Sequence, residues 1–79
     1  MEHDKDKVEQ AVLALLYLTT FDSGSGHRAW KGQDWDVLDR LFNKGFIGNP
    51  RSKAKSVPMT EEGLRRSEEL FKQLFCAAG

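Results

Sequence analysis

The sequence predicts a small α+β domain with the order helix, short strand or stub, helix, β-hairpin and helix. Three segments carry apolar residues at helical spacing, and the stretch before the third of them alternates as a strand does. The chain has 79 residues, which predicts a single domain over 1–79. Its 12 basic and 12 acidic residues cancel, so there is no overall basic field to attract nucleic acid or an anionic membrane.

The first helix is predicted from Asp4 or Asp6 to about Thr20. Asp6 and Glu9 have the spacing of a capping box, in which two side chains close the first turn. Apolar residues surround the second half of this helix instead of forming one stripe. A helix that is apolar all round must be covered on more than one side. It is therefore predicted to lie centrally in the domain or against a second copy of the chain.

A stretch rich in glycine and serine follows, between Phe21 and Gln33. Residues 22–26 are turn-forming, and residues 27–31 are predicted to form a short strand or a single helical turn. An additional full helix does not fit there. For Trp30, two interpretations stay open: a core residue that fills space, or an anchor for a partner.

The second helix is predicted from an Asp34 cap to about Lys44, and Gly45 is typical of a helix stop. Its apolar residues recur at helical spacing. Trp35 belongs to this apolar set. A large aromatic side chain in that position is predicted to pack in the core.

A β-hairpin is predicted after the second helix. Residues 46–47 start a strand, residues 48–50 turn, and residues 55–59 return. Pro58 has no amide hydrogen to donate, so the returning strand is predicted at the edge of its sheet.

The third helix is predicted from a Thr60 cap to about Cys76. Glu61 and Glu62 lie in its first turn, where the helix dipole favours acidic side chains. Leucines and phenylalanines at helical spacing give this helix one apolar face.

No constellation of residues indicates catalysis, a metal or a cofactor, and the chain is predicted not to be an enzyme. His3, His27 and Cys76 are the strongest nitrogen and sulfur metal candidates, and they lack paired spacing. Residues 24–29 match a G-x-G-x-x-A dinucleotide fingerprint, but such a site requires a βαβ unit that this chain cannot build. No small-molecule substrate is evident either.

Cysteine usage and hydropathy predict a cytoplasmic location. The single cysteine, Cys76, cannot form an internal disulfide, which fits a reducing compartment. The longest apolar run, residues 11–18, is much shorter than the roughly 20 residues that span a bilayer, so no membrane partner is predicted.

Two resemblances rest on particular stretches of the sequence. The segment from LDRLFNKGFI to VPMTEEGL resembles the second half of bacterial winged-helix regulators of the multidrug-resistance and phenolic-acid repressor type. This resemblance implies that residues 34–44 take the place of a recognition helix and that Arg51, Lys53 and Lys55 lie on a wing. Through AVLALLYLT, RAWKGQDWDVLDRL and KAKSVPMTEEGLRRSEELF, the whole chain is similar to a family of small uncharacterised bacterial proteins, a domain of unknown function.

We predict a noncatalytic protein-interaction module that pairs with a second copy of itself, as a homodimer, or with another protein. The lack of room for a further helix, and the carboxylates of Asp34, Asp36 and Asp39 on the second helix, disfavour contact with DNA phosphates. A DNA-binding winged-helix transcriptional regulator that uses a basic wing is the alternative. The residues predicted to contact a partner or a phosphate are Arg28, Trp30, Lys31, Arg40, Arg51, Lys53 and Lys55.

Overall fold

Three helices and one antiparallel sheet form the described part of the chain. The computed structural model describes residues 2, 4–32 and 34–76. The predicted α+β class is confirmed, and the observed elements are compatible with the predicted layout. In chain order the elements are α1 (Lys5–Leu18), β1 (Thr20–Asp22), β2 (His27–Trp30), α2 (Trp35–Asn43), β3 (Ser56–Met59) and α3 (Glu61–Phe75).

The first helix begins with a different cap from the one predicted. The Asp4 carboxylate accepts hydrogen bonds from the amides of Asp6 and Lys7, at 3.0 and 3.1 Å. The predicted capping box between Asp6 and Glu9 is wrong, because the Glu9 side chain turns inward and is only 3% exposed. There its carboxylate meets two cations of the α2 region, which offset its loss of water.

Glu9 thus links the first helix to the second through a buried charge cluster. One carboxylate oxygen lies 2.7 Å from Lys44 Nζ and the other contacts the Arg40 guanidinium. These contacts are not aligned as hydrogen bonds, so the attraction is that of an ion pair. Both cations keep part of their side chains in solvent, whereas the carboxylate does not. Removing a cation should therefore destabilise the fold more than removing the Glu9 carboxylate, because the carboxylate has no water to replace its partner.

The sheet has the order β1-β2-β3. The glycine-rich stretch forms a tight hairpin between β1 and β2, and its turn places Gly24 and Gly26 at φ angles of 89° and 140°, which favour glycine. The single strand or helical turn predicted there is therefore the second arm of a hairpin. This hairpin occupies the position where a further helix would have been needed for a full helix-turn-helix.

The third strand pairs mainly with β2, over four residue pairs. From the predicted partner segment 46–47, only Ile47 forms a bridge, with Met59. The Pro58 carbonyl accepts from the Gly48 amide at 2.8 Å, but Pro58 has no amide with which to continue a ladder on that side. The prediction that the returning strand lies at a sheet edge is confirmed.

The first helix is central, as its apolar wrap predicted. It packs against α3, α2 and β2, and Tyr17 lies 5.5 Å from Phe71 between ring centroids. Leu15 and Leu18 remain exposed at its C-terminal end. Among the described residues, the hydrophobic core cluster consists of Val12, Leu13, Ala14, Leu16, Ala29, Leu38, Leu41, Ile47, Val57, Met59 and Leu70.

The end of α2 and the start of α3 are joined closely. Gly45 stops α2 at φ 81°, and the amide of Phe46 reaches back to the Leu41 carbonyl at 3.1 Å, as in a Schellman motif. The Thr60 hydroxyl, the predicted cap of α3, accepts from the Gly63 amide at 2.9 Å. A Cβ at Gly63 would lie 1.7 Å from the Phe46 carbonyl oxygen, so only glycine permits this approach.

Replacing Gly63 by alanine is expected to lower the free energy of unfolding by about 2 kcal/mol, because the added methyl group forces the Phe46 backbone away from α3. Helix propensity alone would favour alanine by about 1 kcal/mol. Urea denaturation measures the difference. Gly32→Ala is the matched control, because a Cβ there meets nothing within 4 Å. A Gly63→Ala variant as stable as the wild type would contradict the packing argument.

We expect the members of the Glu9 charge cluster to differ in how much their loss lowers the free energy of unfolding. Arg40→Met is expected to lower the free energy of unfolding by about 2–3 kcal/mol, because Glu9 stays buried with one cation fewer. Glu9→Met is expected to cost about 1 kcal/mol or less, because Arg40 and Lys44 can be hydrated where they lie. Urea denaturation of the two variants provides the comparison, and the argument fails if Glu9→Met is the less stable one.

Candidate interaction groove

Four of the seven residues predicted to contact a partner lie along one open groove of about 520 Å³. These four are Trp30, Lys31, Lys53 and Lys55. We call the groove the aromatic groove, after Trp30 and Trp35, and define it by these two tryptophans with Lys53 and Lys55. Gly32, Leu38, Ser52 and Ala54 complete its lining together with Lys31. The groove lies where the end of β2, the start of α2 and the loop before β3 meet.

Trp30 stands outside the core. It is 55% exposed, so the space-filling interpretation is wrong, and strand alternation explains why. Its neighbour Ala29 points into the core and is fully buried, which turns Trp30 to the opposite face of β2. There its ring stacks on Phe21 of β1, with a centroid distance of 5.0 Å and an interplanar angle of 28°.

The core position predicted for Trp35 is also wrong, since this side chain is 48% exposed. Trp35 is the first residue of α2, and Leu38 and Leu41 fill the core from that helix instead. Two cations flank its indole ring: Lys31 Nζ lies 5.3 Å from the ring centroid and the Arg51 guanidinium carbon 5.2 Å. Such cation–π contacts orient an exposed aromatic ring.

Lys31 fastens the loop before β3 to the groove. Its ammonium group donates to the carbonyl oxygens of Pro50 and Ser52, at 2.6 and 2.8 Å. Its amide donates to the Lys55 carbonyl at 2.9 Å. Lys31 was predicted as a contact for a partner, but its hydrogen-bonding groups serve the fold.

Arg51 is similarly engaged. Its guanidinium donates to both carboxylate oxygens of Asp39, at 2.5 and 3.3 Å. These hydrogen bonds hold the pKa of Asp39 below its ordinary value of 3.8, and the same carboxylate raises the pKa of Arg51. The pair neutralises the arginine of the predicted wing and connects the loop to α2.

The remaining predicted arginines lie away from the aromatic groove. Arg28 donates to the hydroxyl and carbonyl oxygens of Ser56, both at 2.8 Å, and so ties β2 to β3. Arg40 belongs to the Glu9 cluster and also reaches Asp6 at 3.5 Å. Within the described residues, the ammonium groups of Lys53 and Lys55 form neither ion pairs nor hydrogen bonds, which leaves them available to a ligand.

A second groove, of about 760 Å³, runs along the other side of α2, between that helix and the start of α1. We call it the acidic groove. Its floor carries Val8 and Val37, while Lys5 and Arg40 are its basic residues. The carboxylates that line it are those of Asp34, Asp36 and Asp39. The sequence indicated acidic residues on this helix, but it did not show that two apolar side chains accompany them.

The described residues include no group of three or more His, Cys, Asp or Glu side chains placed to hold a metal ion. His27 and Cys76 are both exposed, and His3 lies outside the described residues. None of the helices in the described part of the chain has the length and apolar character that crossing a bilayer requires.

Comparison with known proteins supports the resemblance to a family of small uncharacterised bacterial proteins, and not the one to winged-helix regulators. An uncharacterised protein of Sinorhizobium fredii, y4hR, is 55% identical over 75 residues, which covers 95% of this chain and 97% of the relative. No solved structure matches the chain. The family described as a domain of unknown function, DUF6429, matches residues 4–77. The chain therefore belongs to the DUF6429 family of bacterial proteins, as its sequence had indicated.

Proposed function

We propose that this chain is a noncatalytic protein-interaction module and that its partner binds in the aromatic groove. One observation carries the proposal: two tryptophans, each about half exposed, line the same groove. Large aromatic side chains are costly to leave in water and are enriched among the residues that dominate binding energy. A partner that covers both indole rings would remove this apolar surface from solvent.

The groove is held in shape before any partner arrives. Trp30 rests on Phe21, and Trp35 lies between the cations of Lys31 and Arg51. Side chains that are already ordered lose little conformational entropy on binding. This arrangement favours recognition of a defined partner over loose adhesion.

The charges of the aromatic groove indicate the chemistry of that partner. Among the described residues that line it are three lysines and no carboxylate. Lys53 and Lys55 can pair with acidic groups, while the indoles offer apolar contact. The groove therefore suits a protein surface that combines acidic and apolar side chains.

The lining of the groove suits binding better than bond cleavage. Of the described lining residues, only Ser52 carries a hydroxyl group, and none is a histidine or a carboxylate that could act as its base. Nucleophilic catalysis requires such a base within hydrogen-bonding distance. This composition supports a binding role beside the observation of the two tryptophans.

DNA binding by a winged-helix-like domain is the second candidate function. The unpaired ammonium groups of Lys53 and Lys55, in the loop beside α2, favour it. Asp36 and Asp39 of α2, its cap Asp34 and the engagement of Arg51 by Asp39 weigh against it, because phosphates are repelled by carboxylates and need free cations. We rank it below protein binding for that reason.

Trp30→Ala is expected to abolish partner binding while the domain stays folded. Loss of the stack on Phe21 should lower the free energy of unfolding by about 1 kcal/mol. The test is affinity purification of the tagged chain from cells that express it natively, followed by mass spectrometry. Leu74→Ala is the matched control, because Leu74 is 48% exposed on α3 and does not line the groove.

Proteins retained by the wild type and by Leu74→Ala, and lost from Trp30→Ala, would support the proposal. Equal retention by all three chains would refute it. Nucleic acid recovered in place of protein, and released by moderate salt, would favour the second candidate.

Acidification is expected to release Trp35 from Arg51. The folded-state pKa of Asp39 is lowered, so its pairing with Arg51 is complete above the unfolded-state pKa and is lost as pH falls through the lowered value. Arg51 stays charged throughout, since its own pKa is raised. Fluorescence of a Trp30→Phe variant, in which Trp35 is the single tryptophan, should change with a midpoint below pH 3.8.

Two controls isolate this transition. Asp39→Asn should remove the fluorescence change, and far-ultraviolet circular dichroism over the same range separates it from unfolding. The interpretation fails if the Asp39→Asn chain shows the same change, or if the midpoint lies above the ordinary aspartate value.

A further inference from the structure

We infer that the partner of the aromatic groove is a second copy of this chain, which offers its acidic groove. The inference rests on the proposed function and names its partner. It follows from two surfaces of opposite charge and shared apolar character that flank one helix, α2, and both reach its first turn.

The two grooves are complementary in charge. Lys53 and Lys55 have no acidic partner among the described residues of their own copy. In the acidic groove, Asp39 is occupied by Arg51, whereas Asp36 forms no ion pair with any described residue. Asp34 accepts a 3.3 Å hydrogen bond from the Val37 amide and keeps its negative charge exposed.

The grooves are also complementary in apolar surface. Trp30 and Trp35 stand half exposed in one, and Val8 and Val37 lie half buried in the other. Each exposed indole would contact the two valines, so that the aromatic groove of one copy would cover the apolar floor of the other. Apolar contact would supply affinity, and the charges would set the orientation.

Their placement suits a closed dimer. Trp35 lines the aromatic groove, while the next two residues, Asp36 and Val37, line the acidic groove. A two-fold axis beside the start of α2 would bring each aromatic groove over the acidic groove of the other copy, twice in the same interface. Such an interface uses the same surface of both copies and closes at two.

Charge exchange between two variants tests this arrangement. Lys53→Glu with Lys55→Glu makes both grooves acidic, and Asp36→Lys makes the acidic groove more basic. Each variant alone should dimerise about tenfold more weakly than the wild type, or more, because attraction is replaced by repulsion. An equimolar mixture of the two variants should recover dimers, since each groove then meets one of opposite charge.

Sedimentation equilibrium from micromolar to sub-millimolar concentration measures these masses, with circular dichroism to verify folding. Lys7→Glu with Lys72→Glu is the matched control. It changes the net charge as much as the double lysine variant does, at positions that line neither groove. This control should dimerise as the wild type does.

Three results would overturn the inference. A wild-type chain that stays monomeric at all concentrations removes the second copy as the partner, and Trp30-dependent capture of another protein would still support the proposed function. A dimer that survives both charge variants but is lost in Leu74→Asp would move the interface to the end of α3. Masses that grow beyond two copies would replace the closed arrangement with an open one.

Discussion

The shape of the aromatic groove depends on the contacts that the ammonium group of Lys31 makes. It donates to two carbonyl oxygens of the loop before β3 and lies beside the ring of Trp35. A buried proline, Pro50, supplies one of those carbonyls, so the loop is fixed at its middle as well as at its ends. Lys31 follows β2 directly, contacts Trp35 of α2 and binds the loop before β3. Because one side chain joins these three elements, Trp30 and Trp35 line the same groove.

Much of the fold follows from local chemistry that can be read along the chain. Asp34 and Thr60 are capping residues, Gly45 adopts the left-handed conformation of a helix stop, and Pro58 confines β3 to an edge. Each of these predictions needs only a residue and its immediate neighbours. They are confirmed because the physics involved extends over one helical turn or one strand pair.

The predictions that failed concern long-range contacts. Glu9 has the spacing of a capping residue, but its environment is set by Arg40 and Lys44, more than thirty positions away. Trp35 has the spacing of a core residue, but Leu38 and Leu41 already fill that core. The spacing of apolar residues predicts which face of a helix is buried, but not how much core volume lies under that face. A domain of this size has little core volume for large aromatic rings.

The distribution of ion pairs shows how a chain with no net charge can still present one basic and one acidic surface. Arg28, Arg40 and Arg51 are each held by groups of their own copy, through Ser56, Glu9 and Asp39. Lys53 and Lys55, which form no ion pair among the described residues, lie together on one side of α2.

The unpaired aspartates lie on the other side of the same helix. Zero net charge excludes a long-range field, but it does not prevent short-range complementarity between two such surfaces. Apart from the pair of Asp39 with Arg51, the charged side chains of the two grooves form no ion pair across α2 among the described residues, and this leaves them available to a second molecule.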